Sequence, residues 1–377
     1  MNGTKKTIFV GISGGVDSSV AALLLKQQGY DAQGIFVKTW APDWLPCTWV
    51  EEKRDAMRIC AALDIPFHFL DASEEYKQGV ADYMISEYKT GRTPNPDVLC
   101  NKVIKFGVMW QYAKAHGAEG VATGHYARVA YGNPRPEAPV LMKGLDPAKD
   151  QSYFLWMVEK DLLPFMRFPI GHLHKKEVRA IAEKAGLFTA AKKDSQGICF
   201  LGEVDMKEFL KHYIDEKPGL VITEDGTIVG EHDGVWFYTL GERHGFRITK
   251  KDTNRTPYYI VGKNIANNTL TVAASPKNTE TEKGTVTVKL RDTNWMILLE
   301  KDISYTAQIR YHGALLEAKI IDDTTIELTS DEYIPLGQSL VVYQEDIVIG
   351  GGVTFNIQYL GTTCIGVRNA IPPCGRS

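Results

Sequence analysis

At 377 residues, with 44% hydrophobic and 24% charged side chains, the chain can bury two or three soluble domains and excludes a disordered or membrane-embedded polypeptide. Its formal net charge of -3 gives no overall attraction to phosphate, so any nucleic-acid partner must be met by local basic patches. No apolar run approaches bilayer-spanning length, and the stretch 7–12 behind Lys5 and Lys6 ends in glycines and an aspartate rather than a signal core. A cytoplasmic protein without membrane contact is expected.

Residues 7–12 read as a strand, 18–28 as a helix with Val20, Leu23 and Leu24 on its apolar face, and 32–38 as a second strand. A helix at 51–63, a strand at 66–70, helices at 74–89 and 101–116 and a strand at 120–123 continue the rhythm. Such alternation predicts a doubly wound α/β domain on a parallel sheet. Segment 132–139, Gly-Asn-Pro-Arg-Pro-Glu-Ala-Pro, reads as a turn, and helices are expected at 174–185 and 205–214. Beyond Pro218, strands at 220–223, 285–290, 307–311, 325–328 and 338–344 predict two small β-rich modules, the last a barrel. The tail 364–377 is expected to be loosely held.

The most informative local signal is Ser13-Gly14-Gly15-Val16-Asp17-Ser18, placed between the first strand and its helix. Glycines let the backbone turn its N–H groups toward a ligand, and the helix start adds positive potential, so the site suits phosphate or pyrophosphate. Ser13, Ser18 and Ser19 offer further donors. The GxxxxGK[ST] pattern of kinases and GTPases is absent. A plain tight βα turn is the bland alternative, and Asp17 with three serines in register weighs against it.

Six cysteines without CxxC or CxxH spacing point away from a disulfide framework or a zinc site. In Thr93-Pro94-Asn95-Pro96-Asp97-Val98-Leu99-Cys100 the two prolines are expected to delay the helix to residue 101, leaving Cys100 at its N-terminus, where a thiolate is stabilised. Asp97 lies close enough in sequence to exchange a proton. Cys199 lies two residues after Gly197, in a loop able to swing a sulfur carrier. Cys60 is read as core, on one helix face with Met57 and Leu63, and Cys47, Cys364 and Cys374 likewise default to buried small apolar residues. His125 is as well suited to a structural hydrogen bond as to nucleotide or RNA, and His172 and His174 read as surface. Basic stretches 175–179, 192–193 and 243–255 are solvated faces unless phosphate must be neutralised. Trp236, Phe237 and Tyr238 are expected to fill a core.

The strings SGGVDSS, GRTPNPDVLCNKVIKFG, ATGHYAR, KDQSYFLW, DSQGICFLGE, GEHDGVWFYTLGERHGF and AQIRYHG, in that order along nearly the whole chain, resemble the successive motifs of the bacterial tRNA-specific 2-thiouridylase MnmA (TrmU) family. The resemblance implies an ATP pyrophosphatase (PP-loop) domain over 1–204, an adaptor over 205–283 and a C-terminal β-barrel over 284–377, together making 2-thiouridine at the wobble position of lysine, glutamate and glutamine tRNAs. Carried over by motif, Gly11, Ile12, Ser13, Gly14, Gly15, Val16, Asp17, Ser18, Val37 and Gly124 would hold ATP. Asn95, Pro96 and Asp97 would meet the target base. Lys149, Asp150, Gln151, Arg310 and Tyr311 would contact tRNA. Cys100 would be the nucleophile and Cys199 the persulfide carrier, charged by a cysteine desulfurase or a relay protein.

Magnesium would accompany ATP, with Asp17 a candidate ligand and no dedicated metal cage. The sequence departs from the family pattern at Val37, often methionine, at Glu242, often glutamine, and in the segment 40–49. A PP-loop ligase delivering nitrogen would need no cysteine pair, and an RNA-binding relic would need neither the pair nor an intact glycine loop.

Overall fold

The computed structural model describes residues 5–46, 48–132, 135–193, 205–249, 257–275, 284–300 and 303–360. Strand β1 (Thr7–Gly11) alternates its apolar residues between two cores. Ile8 and Val10 face a cluster built with α1 (Val16–Gln27) and α2 (Trp49–Ala62), and Phe9 faces a second cluster on the other side. With both faces covered, the strand is apolar almost throughout, as a buried parallel strand must be.

Strand β2 (Asp31–Lys38) pairs parallel with β1, and β3 (Phe67–Asp71) pairs parallel with β2. Helix α3 (Ser73–Tyr76) runs through a π-helical turn, Lys77–Ala81, into α4 (Asp82–Lys89). Next, α5 (Pro96–Leu99) runs through a π-helical stretch, Cys100–Val108, into α6 (Met109–Ala115).

This last helix corrects the sequence expectation, because it starts at Pro96 rather than at residue 101. Proline at the first helical position loses nothing, since its missing N–H would have had no partner. Asn95 caps the helix by accepting from the Val98 N–H at 3.4 Å. Cys100 therefore lies inside a helix and is fully buried, not in an exposed loop at a helix start.

Strand β4 (Gly120–Ala122) lies on the other side of β1. A hairpin of β5 (Ala127–Gly132) and β6 (Arg135–Lys143) follows, so most of the proline-rich segment expected as a turn supplies strand. The short β7 (Met166–Arg167) completes the parallel sheet, whose order is β3-β2-β1-β4-β7. Strand order reverses at β1, with β2 on one side and β4 on the other. Ligands of such sheets bind at that switch point, beyond the C-terminal ends of the strands.

Helix α7 (Lys175–Lys184) packs on α1 in the first cluster. Helix α8 (Met206–Lys211) leads into a five-stranded sheet of β8 (Gly219–Thr223), β9 (Ile228–His232), β10 (Arg247–Ile248), β11 (Tyr259–Asn264) and β12 (Thr269–Ala273). Its core joins Phe209, Val221, Phe237 and Tyr238 to Met84, Ile85 and Tyr88 of α4. Phe237 and Tyr238 thus fill a core as expected.

Six antiparallel strands follow, β13 (Gly284–Trp295), β14 (Tyr305–Gln308), β15 (Leu316–Asp322), β16 (Thr325–Ser330), β17 (Ser339–Gln344) and β18 (Ile347–Leu360). Pairing of β13 with β18 closes them into a barrel. The β5–β6 hairpin joins the barrel wall through Met142 opposite Ile347. Cys60 is buried with Ala56, Ile59 and Leu63, but Met57 is exposed and leaves the apolar face assigned to it. No helix among the described residues is long and apolar enough to cross a membrane.

Candidate active site

The Ser13–Ser18 loop lies at the switch point. Gly14 adopts φ +78°, which a side chain would resist, and a Cβ there would stand 3.1 Å from Asp55 Cβ. The Ser18 hydroxyl accepts from the Ser13 N–H at 3.2 Å and donates to the Gly15 carbonyl at 3.2 Å, fixing the curve of the loop. Gly124, just beyond β4, backs directly onto the start of α1. A Cβ on it would fall 2.7 Å from the Ser18 nitrogen and 2.8 Å from the Asp17 carbonyl carbon. Ser19 belongs elsewhere: its hydroxyl is buried, donates to the Val16 carbonyl at 2.8 Å and contacts Thr189 Oγ1 at 2.8 Å, so it is no phosphate donor.

Two lysines arrive at the loop from α7 and its sequel. Lys175 Nζ donates to both Asp17 oxygens at 2.7 Å, and Tyr126 Oη donates to Asp17 Oδ1 at 2.8 Å. Lys192 Nζ donates to the Gly14 carbonyl at 3.1 Å and to Asp55 at 2.9 Å. The stretch 175–179 reads in sequence as a solvated face unless phosphate must be neutralised, and Lys175 is largely buried in this pair.

Beside the loop lies a shallow pocket lined by Phe36, Val37, Thr39, Thr48, Trp49 and Glu52. The Glu52 carbonyl comes within 3.3 Å of the Gly14 Cβ position, so pocket and loop adjoin. Burial raises the Glu52 carboxyl above its ordinary range.

On the opposite face of the sheet, the helix bearing Cys100 runs past the end of β4. Lys105 Nζ lies 3.3 Å from His125 Nε2, and Thr123 Oγ1 lies 2.7 Å from His125 Nδ1. Burial, with the Lys105 charge, holds this histidine neutral well below its ordinary pKa. His125 is therefore a buried hydrogen-bonding residue between Phe106 and Phe168. His172 is exposed, and His174 is half-exposed at the start of α7, as expected.

Three family models match the chain in succession: the tRNA methyl transferase HUP domain over residues 6–203, the tRNA methyl transferase PRC-barrel domain over 207–274 and the aminomethyltransferase beta-barrel domain over 277–354. The tRNA-specific 2-thiouridylase MnmA of Geobacillus thermodenitrificans (strain NG80-2) is 44% identical over 354 residues, 92% of this chain and 93% of the relative. MnmA 2 of Geobacillus kaustophilus (strain HTA426) is 43% identical over 354 residues, 92% of this chain and 93% of the relative. MnmA of Bacillus mycoides (strain KBAB4) is 41% identical over 369 residues, 94% of this chain and 96% of the relative.

The chain belongs to the tRNA-specific 2-thiouridylase MnmA family.

Several residues that the MnmA motifs single out lie near the helix bearing Cys100, where Asn101 Nδ2 donates to the Phe154 carbonyl at 3.1 Å. The Tyr311 ring lies 4.4 Å from Phe154, and its hydroxyl is pushed up to about 12 by burial and by the charges of Asp150 and Asp97. Asp97, Asp150 and Tyr311 therefore share one neighbourhood, although the barrel supplies the tyrosine. Asp150 is turned inward, accepting from Gly144 N at 2.8 Å and from the Ser152 hydroxyl at 3.0 Å, and burial raises its pKa. Gln151 Oε1 accepts from the Tyr126 N–H at 3.1 Å, which connects this neighbourhood to Asp17 through one tyrosine.

Arg310 and Tyr311 lie just past β14, not within a strand as expected. Arg310 is exposed and paired with Glu332. Cys199, Cys47, Cys364, Cys374 and the tail 364–377 lie outside the described residues. Sequence reasoning reached Lys175 only as part of the basic stretch 175–179, and missed both its pairing with Asp17 and the bond of Tyr126 to the same carboxylate. The one available signal for Lys175 was its place at a helix start closely following His174.

Proposed function

We propose that the chain is a tRNA-uridine 2-sulfurtransferase working as three units, 1–204, 205–283 and 284–377, in the cytoplasm. It adenylates the C2 carbonyl oxygen of the wobble uridine and replaces that oxygen with sulfur from a Cys199 persulfide. The observation that carries this reading is the phosphate loop at the switch point of a sheet whose other face holds the Asp97–Cys100 helix. Lysine, glutamate and glutamine tRNAs are the substrates we expect, and a cysteine desulfurase or relay protein the source of persulfide.

In this reading the backbone of residues 11–18 receives the pyrophosphate of ATP, with Gly124 behind it and Val37 in the floor of the adjoining pocket. The uridine oxygen attacks the α-phosphate, pyrophosphate leaves, and the oxygen is now part of an AMP leaving group. The terminal sulfur of the Cys199 persulfide adds at C2, AMP departs, and the Cys100 thiolate attacks the sulfur of Cys199. The S–S bond breaks toward the uridine, leaving 2-thiouridine and a Cys100–Cys199 disulfide. Asp97 is placed in this scheme to exchange protons, and Asn95, Pro96, Lys149, Asp150, Gln151, Arg310 and Tyr311 to hold tRNA.

Magnesium fits here only as the companion of ATP. No group of three acidic, histidine or cysteine side chains gathers for a metal among the described residues, and both Asp17 oxygens already accept from Lys175. When bound, it would screen phosphate charge. The test is release of AMP and pyrophosphate from ATP on addition of tRNA. Release that tRNA does not stimulate would reject the reading in favour of a small-molecule ligase.

A further inference from the structure

The nucleophile helix begins on a short strap, residues 91–95, which α4 holds at its start, the Gly91 and Arg92 N–H groups donating to the Tyr88 and Glu87 carbonyls at 2.8 and 3.0 Å, and which is gripped from outside the α/β domain as well. Gly91 takes φ +78° and packs so closely on Ile265 that a Cβ would fall 2.2 Å from its Cδ1. Thr93 N donates to the Leu336 carbonyl at 2.9 Å, and Gln338 Nε2 donates to the Thr93 carbonyl at 3.0 Å. Thr93 Oγ1 also lies 3.3 Å from Thr239 Oγ1. The β-rich middle module and the barrel thus grip the same few residues.

One carboxylate closes this junction. Glu87, 5% exposed near the end of α4, accepts a two-pronged pair of hydrogen bonds from Arg92 at 2.7 and 2.8 Å. It also accepts from Arg291 of β13 at 2.5 Å, and the same arginine reaches Tyr83 Oη at 3.4 Å. A buried carboxylate shared by two guanidinium groups has defined geometry, whereas removal of one member leaves charge uncompensated. Nothing in the proposed chemistry uses Glu87, Arg92 or Arg291.

We propose that Glu87 is a positioning residue for sulfur transfer: by holding Arg92 to Arg291 it locks the strap that sets Asp97 and Cys100, so the barrel fixes where the nucleophile stands. The role of Cys100 rests on the function proposed above; the mechanical claim does not. Gly337 gives an independent way to disturb the strap, because it takes φ +88° and a Cβ on it would come 2.9 Å from Arg92 Cβ and 3.1 Å from Thr93 N.

Two buried cysteines separate a local effect from a global one. Cys100 belongs to the core beside the strap and Cys60 to the core on the other face of the sheet. Full-length wild type, Glu87→Gln and Gly337→Ala are exposed to iodoacetamide, and the two sites are followed by peptide mass spectrometry. Thiolation kcat and the KM for ATP are measured alongside. In both variants Cys100 is expected to react at least about tenfold faster with Cys60 unchanged, and kcat to fall about tenfold with the KM for ATP unmoved. Cys60 rising in step with Cys100, an unchanged ratio in Glu87→Gln whatever Gly337→Ala shows, or a raised ratio with wild-type kcat overturns the inference. If wild type makes no 2-thiouridine, the proposed function fails and the alkylation ratio still decides whether Glu87 locks the strap.

Discussion

The glycine loop 13–18 and the helix bearing Cys100 lie on the same domain but are held in opposite ways. The loop depends on neighbours within the α/β domain: its own serines, Gly124, and Lys175 and Lys192 from the far end of that domain. The strap leading into the helix bearing Cys100, with Glu87 beside it, is met by Leu336, Gln338 and Arg291 of the barrel and by Ile265 and Thr239 of the middle module. ATP handling can therefore survive changes that disable sulfur transfer. The difference also suggests why a nucleotide-activating domain should carry two β-rich modules.

The sharpest separation comes from the cysteines. Cys100→Ser is expected to abolish 2-thiouridine formation while keeping adenylation of tRNA and a persulfide on Cys199, and Cys199→Ser to adenylate but accept no persulfide. A serine hydroxyl cannot replace a thiolate in cleaving an S–S bond. Intact-mass analysis after incubation with donor, ATP and tRNA checks both, and persulfide found on Cys100 instead would reverse the roles.

Next in size is Gly124→Ala, whose added Cβ collides with backbone at the start of α1. A displacement of the loop on the ångström scale is expected to cost roughly 10²-fold in pyrophosphate release, with Cys100 still protected from alkylation. Wild-type release would separate Gly124 from the nucleotide site. A smaller effect belongs to Lys175→Ala, expected to raise the KM for ATP about tenfold, near 1.4 kcal/mol, with Lys175→Arg recovering part of it. An unchanged KM in steady-state kinetics would leave the lysine a purely structural partner of Asp17.

These contrasts also mark what the sequence could reveal. The α/β rhythm and the glycine loop were readable because strand alternation, glycine spacing and the following helix are neighbours in the chain. Cys100 was misplaced because Pro96 reads as a helix breaker, although at the first helical position it is a helix starter. Strand β18 went unread because Gly350, Gly351 and Gly352 look like a turn. In the barrel they allow close approach, and a Cβ on Gly351 would stand 2.4 Å from the Leu340 carbonyl oxygen. The grip on the strap was illegible because Glu87 and Arg291 meet only after the barrel has closed.

The smallest expected effect is acid sensitivity at the junction. Burial alone would raise the Glu87 pKa, but hydrogen bonds and charge from Arg92 and Arg291 bring it below its ordinary 4.5. A carboxyl depressed in the folded state stabilises above its unfolded pKa, and that contribution is lost as pH falls through the lower folded value. Wild type should therefore lose Tm between pH 5 and about pH 3 more steeply than Glu87→Gln, whose amide does not titrate. Parallel losses in thermal melts would mean that the pair does not carry the difference.

Whether one chain joins ATP-driven activation of a tRNA uridine to sulfur delivery by cysteine is decided by nucleoside mass spectrometry. Unmodified tRNA is incubated with the full chain, ATP, magnesium and a persulfide donor, then digested. The expected product is 2-thiouridine that vanishes when ATP is omitted or when Cys100 is replaced by serine. Consumption of ATP with no thiolated nucleoside, or thiolation that persists without Cys100, would contradict that expectation.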